Sequence, residues 1–133
     1  MRWAALFAVL PLAGCAATNL AACPAGMSEM WRGELMFGRN IGGTLGVSEA
    51  DWDAFAAAEI APRFPAGFTV MDGAGEWRGG DGATVRAPSK ILMVVAPRGV
   101  ETRARLDAIA AAYKVRFHQE AVGMVLEPAC VSF

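Results

Sequence analysis

The chain of 133 residues carries 12 basic and 13 acidic side chains, without a lysine- or arginine-rich cluster, so its charge gives little support to nucleic-acid binding. A single histidine excludes a metal site or proton relay built from two histidines of one chain. The length is that of one domain with a buried core.

Residues 1–14 have the composition of an export signal. Arg2 is their only charge, and the stretch from Trp3 onward is apolar or small. Twelve residues at about 1.5 Å each do not cross a hydrocarbon core of about 30 Å, and Pro11 also opposes a spanning helix. These features predict a signal peptide rather than a permanent transmembrane helix.

Cys15 follows the Leu-Ala-Gly segment 12–14, which resembles a bacterial lipobox. In such a signal the cysteine Sγ is diacylated, the chain is cut before the cysteine, and the freed amine is acylated. Because each buried methylene contributes about 0.8 kcal/mol, the resulting chains form a stable palmitate-type membrane anchor. The alternative is an ordinary signal peptide cleaved after Ala17 or Ala22.

Residues 15–27 contain no charge and no clear period, which predicts a tether to a domain covering 28–133. Ala16 stands where an aspartate commonly retains lipoproteins at the inner membrane. The sequence therefore predicts a lipid-anchored protein of the cell envelope that faces the periplasm, with the outer membrane favoured.

Lipidation of Cys15 would leave Cys23 and Cys130, an even number of cysteines in an oxidising compartment. A bond between them would close a loop of about 108 residues, for which chain entropy predicts a stabilisation of about 4–5 kcal/mol, less any strain. The alternatives are two unpaired thiols or a metal-binding pair, and the latter has no second pair of ligands nearby.

The first half of the domain predicts one strand and one helix. Residues 28–39 alternate between apolar and polar side chains, as in a half-buried strand, and the glycines of 40–46 indicate a loop. Ser48 and Asp51 then have the spacing of a capping box, and the helix that they begin ends before Pro62.

The middle of the domain predicts two strands joined by a hairpin. Residues 68–72 form a short strand, and five glycines in 73–82 indicate a bulged strand with a turn. The return strand begins at Thr84 and is interrupted by Pro88. It continues through 91–96 without alternation, which indicates burial of both faces.

Residues 100–117 carry one apolar stripe and predict a second helix, and 120–127 predict the last strand. The resulting order, βαββαβ, predicts an α+β ferredoxin-like sandwich, with an antiparallel sheet and two helices on one face. In that fold the first and last strands are antiparallel neighbours. Cys23 and Cys130 would therefore meet, which supports a disulfide.

Three separated segments, EIAPRFPAGFTVMDGAGEWR, APSKILMVV and PACVSF, resemble a family of small exported bacterial proteins, often lipoproteins, known as a domain of unknown function. The likeness covers most of 30–133 and implies a compact α+β domain in the cell envelope. It implies no activity. A glutamate often stands in that family where this chain has Ala87, so no acid/base role is expected there.

Several cations surround the glycine-rich hairpin, which also carries Trp77. Arg63, Arg78 and Lys90 could hold an anionic ligand, and the indole could stack on a planar one. The alternative is a twisted hairpin with Trp77 packed inward and the cations solvated. The hairpin has neither the glycine spacing nor the Gly-Lys-Ser/Thr ending of a phosphate loop.

His118 follows the second helix, where it would cap the helix end at the surface, or act as a general base near neutral pH.

Two functions are compatible with the candidate site residues. The first is a non-catalytic binding or interaction module. The alternative is a cofactor-free enzyme acting on a small anionic or aromatic substrate, with His118 or Tyr113 moving a proton. Neither function invokes a metal or cofactor, and pairing of two sheets would allow a homodimer.

Overall fold

The computed structural model describes residues 22–78 and 80–133; the predicted signal peptide, the predicted lipidation site Cys15 and the first part of the predicted tether lie outside these residues. The described residues form the elements β1 (Ser28–Gly38), β2 (Asn40–Ile41), β3 (Thr44–Leu45), α1 (Glu49–Phe55), β4 (Thr69–Arg78), β5 (Thr84–Pro97), α2 (Val100–Arg116) and β6 (Gly123–Val131). A π-helical turn, Ala56–Ile60, continues α1.

The four long strands form one antiparallel sheet in the order β4-β5-β1-β6. Ser48 caps α1, because its hydroxyl accepts a hydrogen bond from the amide of Asp51, whose carboxylate accepts one from the Ser48 amide. Both helices pack on one face of the sheet. The predicted ferredoxin-like α+β fold is therefore confirmed.

The first and last strands are neighbours, as the topology requires, and Ser28 is paired with Val131. Cys23 and Cys130 form a disulfide across this end of the sheet, with their Cα atoms 5.4 Å apart and a sequence separation of 107. The predicted pairing of these two cysteines is confirmed.

The core lies between the sheet and the helices and is rich in aromatic rings. The ring centroids of neighbouring pairs are 4.7–6.1 Å apart, mostly in tilted or edge-to-face arrangements that aromatic quadrupoles favour. These rings belong to Phe37, Trp52, Phe55, Tyr113 and Phe117. They fix both helices on the sheet.

The burial of β5 differs from the prediction. Leu92, Val94 and Ala96 face the helices and are buried, whereas Ile91, Met93 and Val95 lie on the opposite side and are only partly covered. The side of the sheet without helices is called the open face below. The prediction of burial on both faces was wrong because strongly apolar residues occupy this open face as well.

Both proline-containing strands run further than predicted. The amide of Arg39 donates to the carbonyl of Pro88, so the backbone of Pro88 faces the β1 side, just beyond Gly38 where β1 ends. The missing N–H therefore removes no bond to β4, and β4 pairs with β5 in one uninterrupted register without a bulge. Pro128 is tolerated within β6 because β6 is an edge strand.

Candidate functional site

A cleft of about 620 Å³ lies at the end of the sheet where β1 stops. One wall is the short hairpin at 40–43, and a second is the loop 118–121 between α2 and β6. The β4–β5 hairpin forms the third wall through Trp77, Val85 and Ala87.

Trp77 reaches the cleft because the β4–β5 hairpin extends beyond the rest of the sheet. The pairing of β5 with β1 begins only at Ser89, so the preceding residues of β5 pair with β4 alone. Trp77 lies opposite Val85 on this two-stranded extension, and 52% of its surface is exposed. Inward packing of the indole, the alternative considered from the sequence, does not occur.

The hairpin at 40–43 is a structure where the sequence predicted only a loop. Gly42 and Gly43 have φ of 59° and 86°, which places both central residues of this two-residue connection in the region that a type I′ turn requires. The side-chain amide of Gln119 donates to the carbonyls of Asn40 at 2.8 Å and Phe117 at 3.1 Å. This amide therefore joins two walls of the cleft.

His118 lines the cleft from a strained position at the end of α2. The amide of Gln119 donates to the carbonyl of Lys114 at 3.0 Å, as in a Schellman ending, and His118 has a φ of 52°. It is the one non-glycine residue with positive φ in 22–78 and 80–133. For such a residue this conformation costs about 1–2 kcal/mol, and strain of this kind is concentrated at functional sites.

The lining of the cleft contains few ionisable groups. Within the described chain these are the imidazole of His118 and the carboxylate of Glu120, and the lining includes no lysine or arginine. The charge of the cleft is therefore negative while the imidazole is neutral. Trp77 and His118 are the two predicted site residues that the structure brings together.

Lys90 lies on the helix face and is committed to ion pairs. Its ammonium donates to the carboxylates of Glu49, at 2.7 Å, and Asp72, and its side chain is 6% exposed. Arg39 completes this ion cluster through Glu49, and its Nε donates to the carbonyl of Val47 at 2.9 Å. The cluster fastens the start of α1 to the sheet.

The ion cluster shifts the titration of its own members. Hydrogen bonds from Lys90 lower the pKa of Glu49 and of Asp72. The reciprocal bonds, first that to Asp72 and then that to Glu49, raise the pKa of Lys90. Lys90 is therefore a structural cation here.

The remaining predicted site residues also lie away from the lining. The guanidinium of Arg63 donates to Glu59 at 2.7 Å, and Arg78 is exposed at the end of β4. Tyr113 is buried, its hydroxyl donates to the carbonyl of Gly38 at 2.9 Å, and burial raises its pKa to about 12. A proton-transfer role for Tyr113 in the cleft finds no geometric support.

Sequence reasoning missed three polar residues of the cleft: Asn40, Gln119 and Glu120. Asn40 lies in the short strand β2, Gln119 and Glu120 lie between α2 and β6, and none of the three belongs to a recognisable motif. Topology was the available signal, since the residue after the first strand and the residue before the last strand must meet at one end of this fold. The same argument applied at the other end predicted the disulfide.

Residues 32–133 match the family described as "Protein of unknown function (DUF3574)". The chain belongs to this family. No curated protein matches the chain. In the described ranges 22–78 and 80–133, no helix combines the length and hydropathy that a membrane crossing needs.

Two solved structures resemble the chain. A phage SAM lyase in complex with S-methyl-5'-thioadenosine is 14% identical, with a TM-score of 0.58, over 87% of this chain and 97% of that chain. A phage SAM lyase in the apo state is 13% identical, with a TM-score of 0.59, over 86% of this chain and 97% of that chain. At these identities the likeness shows the fold alone.

Proposed function

We propose that the protein is a lipid-anchored module of the cell envelope that binds a planar small molecule, neutral or positively charged, in the cleft. The observation that carries this proposal is the half-exposed indole of Trp77 in a concave site whose described lining residues include Glu120 and no basic side chain other than His118. Concave sites with an aromatic wall and a few polar groups are typical of small-molecule binding.

The charge of the cleft favours the neutral or cationic class. An indole face stacks on planar rings and attracts cations through its quadrupole, and a neighbouring carboxylate adds to that attraction. The cations that would hold an anion, Arg63, Arg78 and Lys90, lie elsewhere. The carboxylate of Glu120 therefore disfavours an anionic ligand, and together with the indole of Trp77 it favours a cationic one.

The structural comparison is compatible with this ligand class. The phage SAM lyase that shares the fold is described in complex with S-methyl-5'-thioadenosine, a compound with a planar adenine ring. It supplies a first probe. For the present chain we propose only the general class, a planar ring with no negative charge.

The ligand class is tested by calorimetric titration of the full chain with three related probes. S-adenosylmethionine, with its sulfonium, should bind at least as tightly as S-methyl-5'-thioadenosine, and adenosine monophosphate should bind more weakly because Glu120 repels the phosphate. Glu120→Gln should reduce the difference in affinity between S-adenosylmethionine and adenosine monophosphate. Trp77→Ala should weaken binding about tenfold or more, whereas Trp77→Phe, the matched control, keeps an aromatic face.

Tightest binding of the phosphate compound would contradict the proposed charge preference. Equal affinity of the wild type and Trp77→Ala for these probes would show that the indole does not contact the ligand. The observation on which the proposal rests would then have no bearing on binding.

A cofactor-free enzyme is the second candidate, because His118 and Glu120 line one cleft and together provide a base and an acid. Incubation with S-adenosylmethionine, followed by chromatography for S-methyl-5'-thioadenosine, tests lyase chemistry directly. Product formation that His118→Gln abolishes would favour the enzyme. Binding without turnover would favour the binding module.

The lipid anchor and the envelope location are supported by the lipobox-like segment before Cys15 and by the disulfide, which requires an oxidising compartment to persist. Labelled palmitate should be incorporated by the wild-type chain in bacterial cells and not by Cys15→Ala. Equal labelling of both chains would overturn the anchor.

A further inference from the structure

The open face is unusually apolar for a sheet surface in contact with water. Met36, Met71 and Val125 are 40%, 41% and 42% exposed there. Ile91 lies between Met71 and Met36, and Glu34 separates Met93 from Val125. An antiparallel sheet with one solvated face normally carries polar residues on that side. Contiguous exposed apolar surface of this kind marks an interaction site.

A low strip of small residues joins this apolar patch to the cleft. Between Met71 and Trp77, β4 places Gly73 and Gly75 on the open face, and β5 places Ser89 and Ala87 opposite them. A Cβ on Gly73 would meet the side chains of Ser89 at 2.9 Å and Ile91 at 3.1 Å, so these neighbours lie close over the glycine. A flat partner seated on the patch can therefore extend to the cleft without a steric barrier.

The charges on this face favour a second copy of the same chain. The guanidinium of Arg32 is paired with Glu34 and also with Glu127, which lies opposite it on β6. These three groups leave a net charge of only −1 on each copy, so two copies meet without a large cluster of like charge. A partner recruited by negative charge would find the guanidinium of Arg32 already paired. An apolar patch on each copy is also self-complementary, as a two-fold interface requires.

The area of the open face is also compatible with packing of a second copy of the chain. Nine paired positions at about 3.3 Å and four strands at about 4.8 Å span about 30 by 19 Å, or about 570 Å² in projection. Protruding side chains raise the accessible area toward the about 800 Å² per partner of a standard interface. Among the described residues, Cys23 is bonded to Cys130 at the end of β6 that lies away from the cleft.

We propose that a second copy of this chain packs on the open face, sheet against sheet, and covers the exposed side of Trp77, so that each cleft is complete only in the dimer. The cleft part of this inference rests on the proposed function, because it concerns the ligand. The interface part stands on the open face alone.

The test uses two matched substitutions in the full chain. Val125→Glu places a charge on the open face, and Val115→Glu places the same charge on α2, where Val115 is 79% exposed. Native mass spectrometry of chains extracted from membranes in mild detergent should show a dimer for the wild type and Val115→Glu, and a monomer for Val125→Glu. Thermal unfolding of both variants verifies that they fold.

A second measurement does not depend on the folding of Val125→Glu. A bifunctional maleimide should cross-link Val125→Cys into a dimer in intact cells and should leave Val115→Cys monomeric. A monomeric wild type, or equal cross-linking at the two positions, would overturn the interface.

Titration with S-methyl-5'-thioadenosine separates the two parts of the inference. Loss of affinity of about tenfold or more in Val125→Glu, with normal affinity in Val115→Glu, supports a cleft completed by the second copy. Unchanged affinity in a monomeric Val125→Glu overturns that completion and leaves the proposed function intact. A dimeric wild type that binds none of the three probes supports the interface and overturns the proposed function.

Discussion

The two ends of β1 are held in different ways. At its start, the disulfide between Cys23 and Cys130 closes the sheet covalently beside the pair of Ser28 and Val131. At its end, about 33 Å away at about 3.3 Å per residue, the strand stops at Gly38 beside an open cleft. The ion cluster of Lys90 fastens the helix side of this end.

This difference shows how a small domain can hold a strained site. A residue in a disfavoured conformation, such as His118, persists only where the surrounding structure over-determines it. The covalent closure supplies stability away from the cleft, and the aromatic core supports the cleft end from the helix side, where Tyr113 donates to the carbonyl of Gly38. The cleft end can then retain the exposed indole of Trp77 and the strained backbone of His118 without loss of the fold.

The largest expected effect comes from opening the covalent end. The double variant Cys23→Ser and Cys130→Ser should lose about 4 kcal/mol of unfolding free energy, because a loop of more than one hundred residues is released in the unfolded chain. Urea unfolding of the full chain measures this loss. The reduced wild-type chain is the control and should match the variant; a loss under about 1 kcal/mol would show that this end does not stabilise the domain.

A smaller and pH-dependent effect is expected at the other end. The pKa of Asp72 is lowered from its ordinary value of 3.8 by Lys90, so the ion pair stabilises the folded chain above that value. This contribution is lost as the pH falls through the lowered pKa of the folded state. Asp72→Asn should therefore unfold more easily than the wild type at pH 7, and the difference should disappear in strong acid.

Asp107→Asn is the matched control for this experiment, because the cation paired with Asp107 is the exposed Arg103, whereas the cation paired with Asp72 is the buried Lys90. Surface pairs of this kind contribute little. Chemical unfolding of both variants from pH 7 to pH 2 makes the comparison. If the difference in unfolding free energy between Asp72→Asn and the wild type did not depend on pH, the ion pair would not be what stabilises this end of the sheet.

The smallest expected change in stability has the opposite sign. His118→Gly should raise the unfolding free energy by about 1 kcal/mol, because glycine adopts the positive φ of this position without the steric clash of a Cβ. The same variant should bind S-methyl-5'-thioadenosine more weakly if the imidazole contacts the ligand. Thermal unfolding and titration of one preparation measure both; a gain in stability with unchanged affinity would make His118 a helix ending and nothing more.

Local sequence pattern by itself determined the two helices, the four long strands and their order, but not the short hairpin of β2 and β3. The alternation in 28–39, the capping box at Ser48 and the stripe in 100–117 are properties of neighbouring residues, and the order of the elements limits the topology to one familiar arrangement. The disulfide followed from that topology, since the partners of β1 and β6 are set once those strands are antiparallel neighbours.

Only the tertiary structure decided which side chains share a site. Trp77 and Lys90 are close in sequence, but alternation along paired strands places the indole on the open face and the ammonium on the helix face. His118, Glu120 and the 40–43 hairpin meet Trp77 through strands that are distant in sequence. Composition identifies residues that can bind a ligand, whereas the pleat and register of the sheet determine which of them meet at the cleft.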